Sequence, residues 1–236
     1  MITRETIQNY NPDFSAGEII LIDKPFRWTS FKVVHKIRKS TGVKKVGHAG
    51  TLDPLATGLL ILCTGKKTKE MTTFQNLVKT YEGVITLGKT SPSMDLETEV
   101  ASGKPVEGIS EKLILETKEK FVGKILQKPP MYSALKVGGK TLYKAARKGK
   151  TIERNDREVT VHSFKITRIV LPEIHFEIVC SKGTYIRVIA NDLGEQLGCG
   201  ALLSSLRRTG IGDFLVSDAL SIEEFMNHYT QNRLVI

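Results

Sequence analysis

A glycine-rich stretch governs the interpretation of this chain: Gly47-His48-Ala49-Gly50-Thr51-Leu52-Asp53-Pro54-Leu55-Ala56-Thr57-Gly58. It places one carboxylate, Asp53, in a turn directly before an apolar run at 59–63. Glycine lets a ligand approach the backbone closely, and Pro54 disfavours helical geometry at the residue before it. Asp53 is therefore a candidate nucleophile at the mouth of a strand. The alternative is a tight turn whose aspartate only caps its own backbone, which is the usual role of an Asp-Pro pair.

Composition narrows the class of protein. The chain has 236 residues, of which 40% are hydrophobic and 25% charged, as in an ordinary globular protein. Its formal net charge is +10, which favours nucleic acid as partner because Lys and Arg displace counterions from phosphates. An anionic membrane surface is the competing partner. It is disfavoured because the chain has no basic amphipathic anchor and no apolar run of spanning length.

Several kinds of site are excluded by motif. The three cysteines form no CxxC pair and the five histidines lack metal-ligand spacing, so we expect no disulfide framework and no metal. No phosphate-binding loop or dinucleotide fingerprint is present, which leaves a cofactor-free reaction at a carboxylate. The first 15 residues do not resemble a secretory signal. We therefore expect a cytoplasmic protein without a cofactor.

Hydrophobic periodicity predicts a mixed α+β chain around one sheet, forming a single domain over 1–236. A helix is expected from Thr29 or Ser30 to about residue 39, with Gly42 ending it. The segment 88–108 reads as an exposed connection, and 128–150 as an insertion outside the core. Strands are predicted at 18–23, 59–64, 79–87, 132–137, 159–169, 174–180, 202–208 and 213–216. Further helices are predicted at 66–77, 110–121, 141–148, 184–197 and 221–229.

Two distant residues are candidate partners for Asp53. Arg187 lies near the start of an otherwise apolar helix, where a buried guanidinium would need a carboxylate and would keep it ionised. An exposed helical arginine is the alternative. Tyr81 opens a strand, a position at which a tyrosine is more often part of the core.

At this point the motifs resemble those of the tRNA pseudouridine-55 synthases, the TruB family. The stretch 47–58 is similar to the catalytic motif of that family. Five further landmarks follow the family order: Asp23-Lys24-Pro25, Lys79-Thr80-Tyr81, Pro129-Pro130-Met131-Tyr132-Ser133-Ala134-Leu135-Lys136, Ser181-Lys182-Gly183-Thr184-Tyr185-Ile186-Arg187 and Leu206-Arg207-Arg208. The resemblance covers residues 18–216. It implies the pseudouridine-synthase fold, a mixed and mainly antiparallel sheet with flanking helices and a central catalytic cleft.

The resemblance also implies an activity, the isomerisation of uridine 55 in the tRNA T-loop to pseudouridine. Asp53 would be the nucleophile, either adding to C6 of uracil or capturing C1′ of the ribose, and the sequence leaves both open. Arg187 would pair with Asp53, and Tyr81 would lie against the base and assist proton removal from C5. Tyr185 and Leu206 would line the base pocket. His48 would stack into the space that the flipped base leaves.

The resemblance further implies a grip on the T-loop and acceptor/T-arm of tRNA. The insertion 128–150 would act as a thumb that closes on the RNA, and no C-terminal RNA-binding PUA domain is expected. A monomer without an obligate protein partner would suffice. The main alternative function is a tRNA-binding folding chaperone that uses the same groove without chemistry. The candidate RNA contacts are Lys24, Lys66, Lys67, Lys136, Arg147, Arg207 and Arg208.

Overall fold

The computed structural model describes the backbone of residues 1–231 and the side chains of residues 1–229. Its strands, in chain order, are β1 (Ile19–Lys24), β2 (Val46–His48), β3 (Thr57–Thr64), β4 (Lys79–Leu87), β5 (Lys89–Thr90), β6 (Ala101–Ser102), β7 (Gly123–Gln127), β8 (Lys136–Val137), β9 (Lys140–Thr141), β10 (Arg157–Val170), β11 (Glu173–Cys180), β12 (Ala201–Ile211) and β13 (Phe214–Leu215). Its α-helices are α1 (Ser30–Thr41), α2 (Met71–Asn76), α3 (Glu111–Glu119), α4 (Leu142–Ala146), α5 (Ile186–Leu197) and α6 (Ile222–Gln231). These elements form two compact units, one of residues 1–81 with 206–231 and one of residues 82–205.

Strand β3 organises the first unit. It pairs antiparallel with β1 and with β2, and parallel with β12 through Arg207↔Thr57 and Arg208↔Gly58. All of its residues after Thr57 are buried, as expected of a strand covered on both faces. One face carries Leu60 and Leu62 against α1 and Phe225 of α6, and the other carries Leu59 and Ile61 against Phe74 of α2. This arrangement confirms the predicted mixed sheet with flanking helices.

Long antiparallel strands dominate the second unit. Strand β10 pairs with β11 on one side and with β7 on the other. The predicted alternation on β11 is confirmed, because Ile174, Phe176, Ile178 and Cys180 are all buried. Helix α5 buries an apolar face and ends at Gly198, whose left-handed backbone at φ 79° suits glycine.

Four local predictions were inaccurate. The strand expected over 132–137 is limited to the two residues of β8, Lys136–Val137. Residues 65–70 form a 3₁₀-helix before the short α2, where one helix over 66–77 was expected. Strand β7 was missed, because Lys124 and Leu126 point outward and blur its alternation. The segment 88–108 is not a plain exposed connection: it contains β5 and β6 and buries Ser93 and Asp95. Polar residues of this kind carry no hydrophobic signal that would reveal their burial.

Candidate active site

The turn that carries Asp53 lies between β2 and β3. Its backbone enters the turn hydrogen-bonded to β3, where the Ala49 amide donates to Ile61 O at 2.9 Å. Within the turn, the Ala56 amide donates to Asp53 O at 3.1 Å. The chain leaves through Gly58, whose φ of 104° suits glycine and whose missing Cβ makes room for the backbone of Arg208. Asp53 itself is partly exposed at the end of this stiff turn.

Ser30, the first residue of α1, holds the residue before Asp53. Its hydroxyl accepts a hydrogen bond from the Leu52 amide at 2.9 Å and donates to Leu52 O at 3.2 Å. Both residues are buried, with 2% and 3% of their surface exposed. One hydroxyl thus satisfies both backbone groups of Leu52. The sequence indicated Ser30 only as a possible helix cap, and Thr29 is the residue that caps α1 by accepting from the Lys32 amide.

Arg208 holds both ends of the same turn. Its Nε donates to Leu59 O at 2.7 Å, and its other guanidinium nitrogen Nη2 donates to Gly50 O at 3.2 Å. The residue is 1% exposed. Arg208 was predicted to contact RNA, and that prediction assumed an exposed side chain. The structure instead places its guanidinium inside the protein as a brace between two carbonyl groups.

Lys24 also donates a hydrogen bond to the Asp53 turn, at Pro54 O. It is fully buried at 0% exposure, and its Nζ donates to Trp28 O at 2.7 Å, Pro25 O at 3.1 Å and Pro54 O at 3.3 Å. Burial lowers the pKa of the Lys24 ammonium to about 8, although the Asp53 carboxylate acts in the opposite direction. Lys24, also predicted to contact RNA, is therefore a buried cation that supports the Asp53 turn.

His48 lies at the entrance to the turn. Its ring is partly buried, and its Nδ1 has no hydrogen-bond partner among the described side chains and backbone. Burial lowers its pKa, and the positive charge of Arg208 acts in the same direction, while a hydrogen bond with the Gly50 backbone opposes both. The lowered pKa favours the neutral form of the imidazole.

Three other predicted residues lie on strands of the same unit. Tyr81, on β4, is 8% exposed, and Leu206, on β12, is partly buried. Arg207 forms a two-pronged ion pair with Asp23, with Nη2 to Oδ2 at 2.6 Å and Nη1 to Oδ1 at 3.1 Å. This geometry is typical of strong arginine–carboxylate pairs. The Arg207 guanidinium is thereby engaged within the protein.

The second unit holds the predicted arginine. Arg187, in the first turn of α5, is 3% exposed, so the alternative of an exposed helical arginine is wrong. Its Nε lies 4.0 Å from Asp95 Oδ2, and its Nη1 donates to Ser93 O at 3.5 Å. Its Cζ lies 5.5 Å from the centre of the Tyr185 ring. Asp95 was missed because it lies in a segment that reads as a loop, yet its carboxylate helps to neutralise this buried cation.

The remaining predicted RNA contacts are Lys66, Lys67, Lys136 and Arg147. Lys66 is exposed in the 3₁₀-helix, whereas the neighbouring Lys67 lies against Glu70 at 2.8 Å. Lys136 and Arg147 are exposed in the insertion, which consists of the β8–β9 hairpin and α4. Within the described part of the chain, no helix is long and apolar enough to cross a bilayer, and no cluster of three or more metal-ligating side chains occurs.

Most of the chain matches the model of one protein family. The model of the TruB family pseudouridylate synthase N-terminal domain matches residues 38–186. The chain belongs to the TruB family. The adjoining residues 187–234 match the tRNA pseudouridylate synthase B C-terminal domain. This TruB-family enzyme is thus a pseudouridine synthase, as the motifs around Asp53 and Arg187 implied.

Individual relatives agree with that assignment. The TruB-family chain is 50% identical to tRNA pseudouridine synthase B of Flavobacterium johnsoniae over 90% of its own length and 96% of the relative. It is 47% identical to the protein of the same name from Phocaeicola vulgatus, over 94% and 97%. Among solved structures, a Cbf5-Nop10-Gar1 complex matches with a TM-score of 0.71 and 25% identity. That match covers 94% of this chain and 57% of the Cbf5-complex chain, and it confirms the predicted fold.

Proposed function

We propose that this enzyme converts uridine 55 in the T-loop of tRNA to pseudouridine, with Asp53 as nucleophile. Two kinds of finding support the proposal: relatives named tRNA pseudouridine synthase B align over nearly the whole chain, and six family motifs occur in order. The observation that carries the nucleophile is the Asp53 turn, which is held on both sides by buried side chains while Asp53 stays partly exposed. Rigid placement of a reacting group is a large part of catalysis.

The reaction balances within the nucleoside itself. The N1–C1′ bond of uridine breaks, a C5–C1′ bond forms, C5 loses a proton and N1 gains one. No electrons are exchanged with another molecule, so we expect turnover without an added cofactor. Asp53 either adds to C6 of the ring or captures C1′ after the glycosidic bond breaks, and both routes need an ionised carboxylate.

We assign the other roles as follows. Tyr81 lies against the target base and assists removal of the C5 proton, and Arg187 is a further catalytic residue. Tyr185 and Leu206 line the base pocket. His48 stacks where the flipped uracil was, a contact for which its neutral ring is suited. Stacking of this kind contributes roughly 1–3 kcal/mol per base, enough to offset much of the few kcal/mol that flipping costs.

We propose that Lys66, Lys136 and Arg147 supply phosphate contacts, because all three side chains are exposed. Lys67 contributes less, since Glu70 already neutralises it. Lys24, Arg207 and Arg208 act within the protein, through the carbonyl groups and the carboxylate that they bind. The insertion 128–150 closes over the T-loop.

The first experiment is nucleoside mass analysis of unmodified tRNA after incubation with the wild-type enzyme or with Asp53→Asn. We expect pseudouridine at position 55 with the wild type and none with Asp53→Asn, while the dissociation constant for tRNA stays within about threefold. Asp156→Asn is the matched control, because it is the same substitution at an exposed aspartate, and it should keep full activity.

Two outcomes would count against the proposal. Tight tRNA binding by the wild type without any pseudouridine would favour the folding-chaperone function. Loss of affinity by Asp53→Asn as large as its loss of turnover would make Asp53 a structural residue.

A further inference from the structure

The buried side chain of Gln127 forms two hydrogen bonds with the backbone of Tyr185. Gln127, the last residue of β7, is 3% exposed. Its Oε1 accepts a hydrogen bond from the Tyr185 amide at 2.8 Å, and its Nε2 donates to Tyr185 O at 3.1 Å. The side-chain amide of Gln127 therefore pairs with both backbone groups of one residue 58 positions away in sequence.

Tyr185 needs such a partner because it immediately precedes a helix. It occupies the N-cap position of α5, and its own side chain makes no capping hydrogen bond. Its carbonyl accepts hydrogen bonds from the Val188 and Ile189 amides at 3.1 and 3.3 Å. Its own amide, at the start of the helix, has no acceptor within the helix. An amide side chain offers a donor and an acceptor together, as this site requires, whereas an ionised carboxylate offers acceptors only.

The two hydrogen bonds from Gln127 fix the backbone of Tyr185, whose ring lies against the buried guanidinium of Arg187. The Tyr185 ring centre lies 5.5 Å from Arg187 Cζ, and Arg187 is held in turn by Asp95 and by Ser93 O. Tyr185 is thus fixed at its backbone by Gln127 and meets Arg187 through its ring. Displacing the backbone of Tyr185 would move the ring and change the surroundings of the guanidinium.

We propose that Gln127 is a positioning residue for the isomerisation, keeping Tyr185 against Arg187 so that the uracil meets a preformed surface. This inference rests on the function proposed above and adds a residue that the family motifs around Asp53 and Arg187 do not include. Gln127 acts through Tyr185 and does not itself touch the substrate.

The first test compares two variants that each gain a methionine. Gln127→Met keeps the length of the side chain and removes both hydrogen bonds to Tyr185. Lys118→Met is the control: it removes a hydrogen bond of 2.8 Å from Lys118 Nζ to Phe164 O on β10 of the same unit. We expect Gln127→Met to lower the single-turnover rate on the order of 10- to 100-fold, since small misplacements in a site have such effects. Its affinity for tRNA should stay within about threefold, and Lys118→Met should keep the wild-type rate.

The second test uses pH to separate positioning from general stability. In Gln127→Glu, the ionised side chain can still accept from the Tyr185 amide but places negative charge against Tyr185 O. When protonated, it regains a donor and reproduces the glutamine. Burial raises the pKa of such a carboxyl, so we expect the rate of Gln127→Glu relative to wild type to rise as the pH falls from about 8.5 to about 6. The charged residues lining the cavity beside Gln127 are Lys120 and Asp192, which every variant keeps.

The outcomes distinguish this inference from the proposed function. A wild-type enzyme that makes no pseudouridine refutes the function. An active wild type with an equally fast Gln127→Met refutes the positioning role alone. The role is also overturned if Gln127→Met and Lys118→Met lose activity in proportion to their loss of melting temperature, or if the relative rate of Gln127→Glu does not change with pH.

Discussion

Ser30→Ala is the most direct perturbation of the Asp53 turn. The substitution removes one hydroxyl and leaves the amide and the carbonyl of buried Leu52 without their partner. Each buried backbone group left unpaired costs ~1–3 kcal/mol. Alanine nearly fills the volume of serine, so the cavity contribution is small. We therefore expect the free energy of unfolding to fall by roughly 2–6 kcal/mol.

The same change should reach the chemistry, because Leu52 is bonded directly to Asp53. A shift of about 1 Å in a catalytic group can cost on the order of 100-fold in rate. We expect the single-turnover rate of pseudouridine formation to fall roughly 10- to 100-fold in Ser30→Ala. Urea unfolding measures the stability, and quenched single-turnover reactions with saturating enzyme measure the rate.

Ser110→Ala provides the matched control. Ser110 caps α3 by accepting from the Leu113 amide at 3.2 Å, at an exposed position of the second unit. Losing such a cap costs ~1 kcal/mol, and we expect no change in the single-turnover rate. The reasoning about Ser30 would be refuted if Ser30→Ala unfolded within ~0.5 kcal/mol of wild type and reacted at the wild-type rate.

Three further predictions concern charged residues. Asp95→Asn removes a carboxylate beside the buried guanidinium of Arg187. Urea unfolding should show that the free energy of unfolding falls by ~1–3 kcal/mol. An unchanged free energy of unfolding would mean that Arg187 does not depend on this pair. Lys24 has a folded pKa of about 8 against an ordinary 10.5, so the unfolded chain binds more protons between these values. The free energy of unfolding of wild type relative to Lys24→Met should therefore rise from pH 8 toward pH 10.5, and a constant difference would contradict the burial of the ammonium. Lys66→Gln should reduce the slope of log affinity for tRNA against log salt concentration by roughly 0.7–0.9. Lys67→Gln should change the slope less, because Glu70 already pairs with the Lys67 ammonium. A slope for Lys66→Gln equal to that of wild type would exclude a phosphate contact at Lys66.

Local sequence was sufficient for the features that depend on neighbouring residues. A continuous apolar run located β3, alternating apolar residues located β11, and Gly42 marked the end of α1, where it adopts φ 71°. The glycines and Pro54 around Asp53 marked the turn itself. These features follow from backbone geometry and from side-chain periodicity, which a stretch of a few residues already determines.

Tertiary structure decided which polar residues are buried and hydrogen-bonded inside the protein. Lys24 and Arg208 were predicted to be surface cations. The structure buries them, and carbonyl groups of Pro54, Gly50 and Leu59 from elsewhere in the chain accept their hydrogen bonds. Ser30 and Gln127 became important in the same way. Burying a polar group is favourable only when a partner is supplied, and sequence periodicity records apolar faces without recording partners 22 to 158 residues away.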